Sequence, residues 1–533
     1  MEAYKVENFS FKYPGCEREV LRNISFSIGV GEFVLVLGKT GCGKTTLLRN
    51  LKPTVAPAGK RDGSISFFGE GISCADEKRL IKSIGFVFQN PSSQIVCDSA
   101  LDEMCFAAEN LGMPSELIKR RMAEICTLFS TSELLDKKTD ELSGGEKQML
   151  NLMSVLMTKP EVIILDEPLA QLDPACAENF LRAVHKLCKD FGTSIIISEH
   201  NSQGLFALAD KVLVIEDGTV GFFGEAGQAA SYLSEKGGSL SEYLPVSARL
   251  CEKLAAPPAF TCAEARAVYR DNKERISVKP EKREELCTQT ILRAKNLVFR
   301  FEKRGRNILN GLSLDIKRGC ALGLVGANGA GKSTLLSVLS GCLKAQEGKV
   351  KNVGAKVCLL PQNPDYTFLA DSVRRDIDLT LKVNKKDESD LAELTERFQI
   401  FEGFEKLYDR NPLDLSAGQK QKLTLLKVLI ADGDVILMDE CEKGLDAQAK
   451  RELGEVIACL KRDGKAIVFI SHNPSFVYEN ADETALIFAG EVIARQATRE
   501  FFCGNEIYTT PMGQISLDIT ESAFTLEEVC VSE

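Results

Sequence analysis

The sequence predicts an α/β fold built twice in tandem, each copy around a mainly parallel sheet. Three observations carry this. Short apolar runs rich in Val and Ile alternate with longer helical patterns, as in parallel sheets covered on both faces. A glycine-rich turn directly follows one such run in each half. A set of motifs recurs in the same order along the chain.

The repeat fixes the elements. Gly38-Lys39-Thr40-Gly41-Cys42-Gly43-Lys44-Thr45-Thr46 returns as Gly326-Ala327-Asn328-Gly329-Ala330-Gly331-Lys332-Ser333-Thr334. Leu142-Ser143-Gly144-Gly145-Glu146 returns as Leu415-Ser416-Ala417-Gly418-Gln419, Ile164-Leu165-Asp166-Glu167 as Leu437-Met438-Asp439-Glu440, and Ser198-Glu199-His200 as Ile470-Ser471-His472. The offset falls from 288 residues at the lysines to 273 at Ser143 and Ser416, so the second copy is shorter between those motifs. Strands are expected at 33–37, 84–88, 162–166, 194–198 and 211–215, with counterparts at 321–325, 356–360, 435–439, 466–470 and 484–488. Glu216-Asp217-Gly218 is a hairpin turn signal. Pro257-Pro258 and the charged run Lys279-Pro280-Glu281-Lys282-Arg283-Glu284-Glu285 mark a solvated linker. The expected domains are 1–236 and 290–510, joined by a linker and extension over 237–289 and followed by a tail over 511–533.

Composition narrows the class. A chain of 533 residues, 44% hydrophobic, is long enough for two to four cores. Its 18 cysteines are scattered without a Cys-x-x-Cys pair, which argues against a zinc or iron–sulfur site and for a reducing compartment. The start of the sequence has no apolar signal region, and no apolar run is long enough to span a bilayer. A net charge of −10 argues against nucleic acid as the main partner. The expectation is a cytoplasmic multi-domain protein.

Gly-x-x-x-x-Gly-Lys-[Ser/Thr] is a phosphate-binding loop. Its glycines let backbone N–H groups converge on phosphate oxygens, and the helix that follows presents its positive end to the same anion. Lys44 and Lys332 are placed to reach the β- and γ-phosphates; Thr45 and Ser333 carry the hydroxyl that would ligate Mg²⁺. A single accidental match has a chance on the order of a few per cent in a chain of this size; two, each after an apolar strand, make chance negligible. Asp166-Glu167 and Asp439-Glu440 close apolar strands at the carboxyl edge of the sheet, where such folds bind ligands. Asp166 and Asp439 suit Mg²⁺, and Glu167 and Glu440 suit an attacking water. Ser143 precedes a helical run over 147–157 and can act as its N-cap, but the adjoining glycines exceed what a cap requires.

At these residues the sequence resembles the ATP-binding-cassette (ABC) ATPases, whose signature is Leu-Ser-Gly-Gly-Gln/Glu. Gln89 and Gln362, each in Gln-Asn-Pro, resemble the family's Q-loop, Leu172-Asp173 and Leu445-Asp446 its D-loop, and His200 and His472 its switch histidine. The resemblance implies two tandem P-loop NTPase domains, each with a mainly parallel sheet core and a helical subdomain. It implies ATP and Mg²⁺ as cofactors, with Gln89 and Gln362 serving both the metal and the catalytic group formed with Glu167, Glu440, His200 and His472. It also implies that the cassettes pair head to tail within the chain. Each phosphate loop would then complete its ATP site with the other copy's Ser143, Gly144, Gly145 and Glu146, or Ser416, Ala417, Gly418 and Gln419. Tyr13 and Phe301 stand where the family stacks an aromatic on adenine. His185 has no such place and is expected to be structural. Ala417 replaces the first signature glycine, Cys441 stands where a proline usually follows the glutamate, and Met149 stands at a usually basic position. Because of Ala417, the Lys44 site is expected to be the slower of two active sites. Cys42, at a helix N-terminus, has two readings, a thiol of lowered pKa and a tolerated small residue, of which the second is the expectation.

A closer resemblance is to the ATPase component of energy-coupling-factor (ECF) importers. It rests on 89–96 with Glu103 and 109–112, on Leu51-Lys52-Pro53 with 56–60, on Lys443-Gly444-Leu445-Asp446, and on 500–505 with 508–510. The implied partners are a transmembrane coupling subunit and a membrane subunit that captures a vitamin-like micronutrient or transition-metal ion. The implied location is the cytoplasmic face of the membrane. Segments 90–112 and 363–381 would receive the coupling helices, with Asp98, Asp102, Glu103, Glu109, Asp365, Asp371, Asp376 and Asp378 as the acidic side of the contact. Charge reversal at Asp102 and Glu103 is then expected to uncouple transport. Two alternatives are a ribosome-acting twin ATPase and the fused ATPase of a sugar importer. The first lacks a basic RNA-facing segment here, and the second usually has a damaged second phosphate loop.

Overall fold

The computed structural model describes residues 1–129, 131–169, 172, 174–200, 202–279, 289–302, 305–506 and 508–532. Asp173 of the expected D-loop and 280–288, which hold most of the charged linker run, lie outside the described residues. The chain divides into two units, Met1–Arg249 with Pro258–Thr261, and Leu250–Pro257 with Cys262–Glu533.

The first unit runs β1 (Glu2–Lys12), β2 (Leu21–Gly29), β3 (Phe33–Leu37), α1 (Lys44–Asn50), β4 (Lys60–Phe67), β5 (Glu70–Gly71), α2 (Glu77–Ser83), β6 (Ile84–Val87), α3 (Ala100–Asn110), α4 (Ser115–Phe129), α5 (Gly144–Leu156), β7 (Val162–Asp166), α6 (Pro174–Phe191), β8 (Ser194–Ser198), β9 (Lys211–Glu216), β10 (Thr219–Glu225), α7 (Ala226–Lys236) and α8 (Gly238–Ser241). Its main sheet has the order β10-β9-β3-β8-β7-β6 and is parallel except at the β9–β10 hairpin. Every residue of β3, β7 and β8 is buried. Both faces are covered, which is why these strands read as unbroken apolar runs. On one face lies the antiparallel sheet β2-β1-β4-β5, whose Val6, Phe9 and Phe11 point inward. The other face packs on helices, including the helical subdomain α3–α5 between β6 and β7. The hairpin turn has positive φ at Asp217 and Gly218, as the sequence signal requires.

Helix α9 (Val246–Lys253) spans the boundary between the units. The second unit then runs α10 (Cys262–Asp271), β11 (Ile276–Val278), β12 (Thr290–Phe299), β13 (Leu309–Lys317), β14 (Ala321–Val325), α11 (Lys332–Leu339), β15 (Glu347–Asn352), β16 (Val357–Leu360), α12 (Val373–Asn384), α13 (Glu388–Arg397), α14 (Ala417–Ala431), β17 (Val435–Asp439), α15 (Ala447–Arg462), β18 (Ala466–Ile470), α16 (Pro474–Asn480), β19 (Glu483–Phe488), β20 (Glu491–Ala497), α17 (Thr498–Cys503), α18 (Pro511–Ser516) and β21 (Val529–Val531). The main sheet repeats the first, in the order β16-β17-β18-β14-β19-β20. The antiparallel sheet is one strand smaller, β13-β12-β15, where the chain is shorter.

Residues expected as linker and tail fold together. Strand β11 pairs antiparallel with β21, Ser277 opposite Cys530. The Tyr269 and Thr520 hydroxyls are 2.8 Å apart, and Arg266 donates to the Gln514 carbonyl. Glu528 anchors the segment. It is buried and accepts from the Tyr478 hydroxyl at 2.7 Å and from Arg499 at 2.8 Å.

Candidate active sites

Each phosphate loop connects a central strand to a helix, β3 to α1 and β14 to α11. A Cβ at Gly38 would lie 2.4 Å from the Ile215 carbonyl oxygen, and one at Gly326 would lie 2.2 Å from that of Ile487. Only glycine fits where the loop presses on the neighbouring strand. Lys44 and Lys332 are buried and donate into their own loops. Lys44 Nζ is 2.7 Å from the Gly38 carbonyl and 3.2 Å from that of Lys39. Lys332 Nζ is 2.8 Å from Gly326 and 2.9 Å from Ala327. The ammonium is thus held over the loop's mouth, where an anion would add to its partners.

In the first unit, Thr45 Oγ1 donates to Asp166 Oδ1 at 3.1 Å, and Ser198 Oγ donates to the same oxygen at 2.9 Å. Burial pushes Asp166 up to about 6, with the Glu167 charge adding and the two hydroxyls opposing. Glu167 follows at a positive φ of 47°, which turns its side chain off the strand line. Gln89 Nε2 donates to Glu167 Oε2 at 2.5 Å, and His200 Nε2 lies 2.8 Å from Oε1. Phosphate loop, aspartate, glutamate, Q-loop glutamine and switch histidine therefore converge, as expected.

The second unit repeats this with one addition. Burial raises Asp439 to about 6, against a hydrogen bond from Ser333. Asp439 Oδ1 has no hydrogen-bond partner among the described residues. An orphaned carboxylate oxygen beside a hydroxyl at a phosphate loop fits a hard divalent cation such as Mg²⁺. His472 Nε2 is 3.3 Å from Glu440 Oε1, and Lys443 Nζ is 3.3 Å from Oε2. Burial alone would raise Glu440. The His472 hydrogen bond, the Lys443 charge and a hydrogen bond from Gln362 outweigh it and hold Glu440 at about 2.

The signatures begin α5 and α14. Ser143 caps α5 through a capping box with Glu146, and Ser416 caps α14 with Gln419. The Ser143 hydroxyl also donates to Glu146 at 2.8 Å, and Lys137 pairs with that carboxylate at 2.5 Å. A Cβ on Gly444 would come within 3.0 Å of the Ala417 methyl, so the added methyl borders glycine of its own unit. The Tyr13 hydroxyl is 3.1 Å from that of Thr46, next to the first loop, and Phe301 is exposed. His185 lies half-buried on α6 against Phe33.

Cys42 is buried, and burial raises its thiol above the ordinary range despite the nearby Lys44, so it is no activated thiolate. Two expectations change. Glu103 and Asp376 are buried and hold backbone N–H groups, so they cannot form an acidic docking face. Asp365, Asp371 and Asp378 already pair with Lys420, Arg375 and Arg374. The sequence reading also missed Ser198 and Lys443. Ser198 lies inside the quoted repeat Ser198-Glu199-His200, read there only for its histidine.

The described residues contain no helix long and apolar enough to cross a membrane. The family model for "ABC transporter" matches 21–170 and 309–443. A Bacillus cereus protein named "Putative ABC transporter ATP-binding protein" is 33% identical over 98% of this chain and 97% of its own. The Bacillus subtilis "Putative HMP/thiamine import ATP-binding protein YkoD" is 31% identical over 92% of this chain and 91% of its own. Among solved structures, the archaeal ribosome recycling factor aABCE1, in complex with stalk protein aP1, aligns with TM-score 0.60 over 93% of this chain and 91% of its own, at 19% identity. That likeness is one of fold. The chain belongs to the ABC transporter family and is an ATP-hydrolysing subunit with two of the family's cassettes.

Proposed function

We propose that the chain energises an ECF-type importer from the cytoplasmic face of the membrane. Its two cassettes close on two MgATP molecules and, on hydrolysis, move a separate transmembrane coupling subunit that carries a micronutrient-capturing partner. In this reading Lys44 and Lys332 hold the β- and γ-phosphates, and Asp166, Asp439, Thr45, Ser333, Gln89 and Gln362 hold the metal. Glu167 and Glu440 orient the attacking water, and His200 and His472 sense the γ-phosphate. Each signature completes the site of the other cassette. Closure concentrates charge-stabilising groups on the transferring phosphoryl, and tethering in one chain favours it.

The observation that carries the membrane-partner reading is an apolar surface shown at matched positions. Val96 is 66% exposed and its counterpart Leu369 80%. Phe106 is 46% exposed and its counterpart Leu379 43%. Both pairs stand between the Q-loop and the signature helix, beside exposed Asp98, Asp102 and Glu109 in the first unit. Large apolar side chains shown twice at the same place fit a pair of apolar helices with basic flanks. The B. subtilis relative named for HMP/thiamine import supports a vitamin-like cargo.

The test is co-purification from native membranes. Phe106→Asp with Leu379→Asp should abolish recovery of hydrophobic partner subunits while ATP binding stays intact. Undiminished recovery counts against the reading.

A further inference from the structure

In the second unit the water-orienting glutamate is met by a lysine as well as by its histidine. Glu167 is met by Gln89 and His200. Glu440 is met by the matching His472 and, in addition, by Lys443 Nζ at 3.3 Å from Oε2. Lys443 sits three residues on, in a turn closed by its own N–H to the Glu440 carbonyl at 3.1 Å. The backbone therefore fixes the approach, and the pair is largely buried, with side chains 22% and 12% exposed. The first copy has Ala170 at the aligned position, between Glu167 and Leu172.

A carboxylate that orients an attacking water must offer that water a free lone pair and its full negative charge. A lysine on one oxygen competes for both, and in a water-poor site that competition is not screened as it is at the surface. We propose that Lys443 is a positioning residue that holds Glu440 in an engaged, slow state and so restrains turnover at the Lys332 site. The inference rests on the assignment of Glu440 as the water-orienting residue.

The test uses the full chain with each site isolated by the other's Glu→Gln change. In a Glu167→Gln background, Lys443→Ala should raise kcat roughly three- to tenfold with the KM for ATP unchanged. A residue that merely supports the fold would lower kcat when removed. Lys443→Gln, which keeps length without charge, should behave alike, and Lys443→Arg should stay slow. In a Glu440→Gln background Lys443→Ala should add nothing. An unchanged or lower kcat for both Lys443→Ala and Lys443→Gln in the first background overturns the proposal. Separately, Glu167→Gln with Glu440→Gln should be inactive; persisting turnover there removes the premise about Glu440, and the proposal with it.

Discussion

Glu103 and Asp376 hold the same loop in the two units. Glu103 Oε2 accepts the N–H groups of Val96 at 2.8 Å and Cys97 at 2.9 Å. Asp376 Oδ1 accepts that of Leu369 at 2.9 Å, and its other oxygen pairs with Lys427 at 2.6 Å. Each carboxylate thus shapes the loop that presents Val96 or Leu369. Glu103→Ala or Asp376→Ala should cost about 2–4 kcal/mol, since buried donors lose a charged acceptor. Exposed Glu109→Ala should stay within about 0.5 kcal/mol. Chemical denaturation of each variant checks the contrast.

Glu167→Gln and Glu440→Gln should each keep MgATP binding and lower hydrolysis at their own site by about 100-fold or more. Single variants retain the turnover of the other site, and the double variant keeps nucleotide bound without release of phosphate. Steady-state phosphate release alongside nucleotide retention on a desalting column checks this.

Asp166 and Asp439 are raised to about 6 by burial. Between the ordinary aspartate value and that point the folded protein binds more protons than the unfolded chain. Metal-free stability therefore falls as pH rises through this window, and the penalty is complete above it. On the proposed reading Mg²⁺ would bind the charged form and remove the penalty. The gain in Tm from MgADP over ADP with chelator should be larger near pH 7.5 than near pH 5, as read by scanning calorimetry.

Glu528→Ala should cost about 2–4 kcal/mol, because it leaves the Tyr478 hydroxyl and Arg499 without their shared carboxylate. The β11–β21 segment should then become the first site of proteolytic cleavage, while the first unit keeps its resistance. Limited proteolysis with mass mapping checks this.

Most of the central sheets could be read from sequence because β3, β7, β8 and their counterparts are buried on both faces and so apolar throughout. Six of the ten expected strands keep both ends: 33–37, 162–166, 194–198, 321–325, 435–439 and 466–470. The remaining four differ by one residue at an end, where hydrogen bonding and not side-chain type sets the limit. Lys44, Asp166 and Glu167 could be placed together from the phosphate loop and the acidic strand end, whereas Gln89 and His200 joined them only through the resemblance to the ABC ATPases. Burial could not be read in either way. Glu103 and Asp376 look like surface acids in a polar stretch, and only the fold shows that the loop before each helix closes over them. The pairing of β11 with β21 was equally hidden, since three-residue strands so far apart leave no periodic signal.

That pairing has a consequence for how the polypeptide is made. Ile276–Val278 leaves the ribosome before the whole second cassette, and its mate Val529–Val531 comes at the far end of it. At roughly 5–20 residues per second, the earlier strand waits on the order of 10–50 s with an unsatisfied edge. The upstream cassette can complete its own sheets in that interval, whereas the downstream one is sealed only when the last strand arrives. Nascent chains stalled between the two should expose that edge to chaperones.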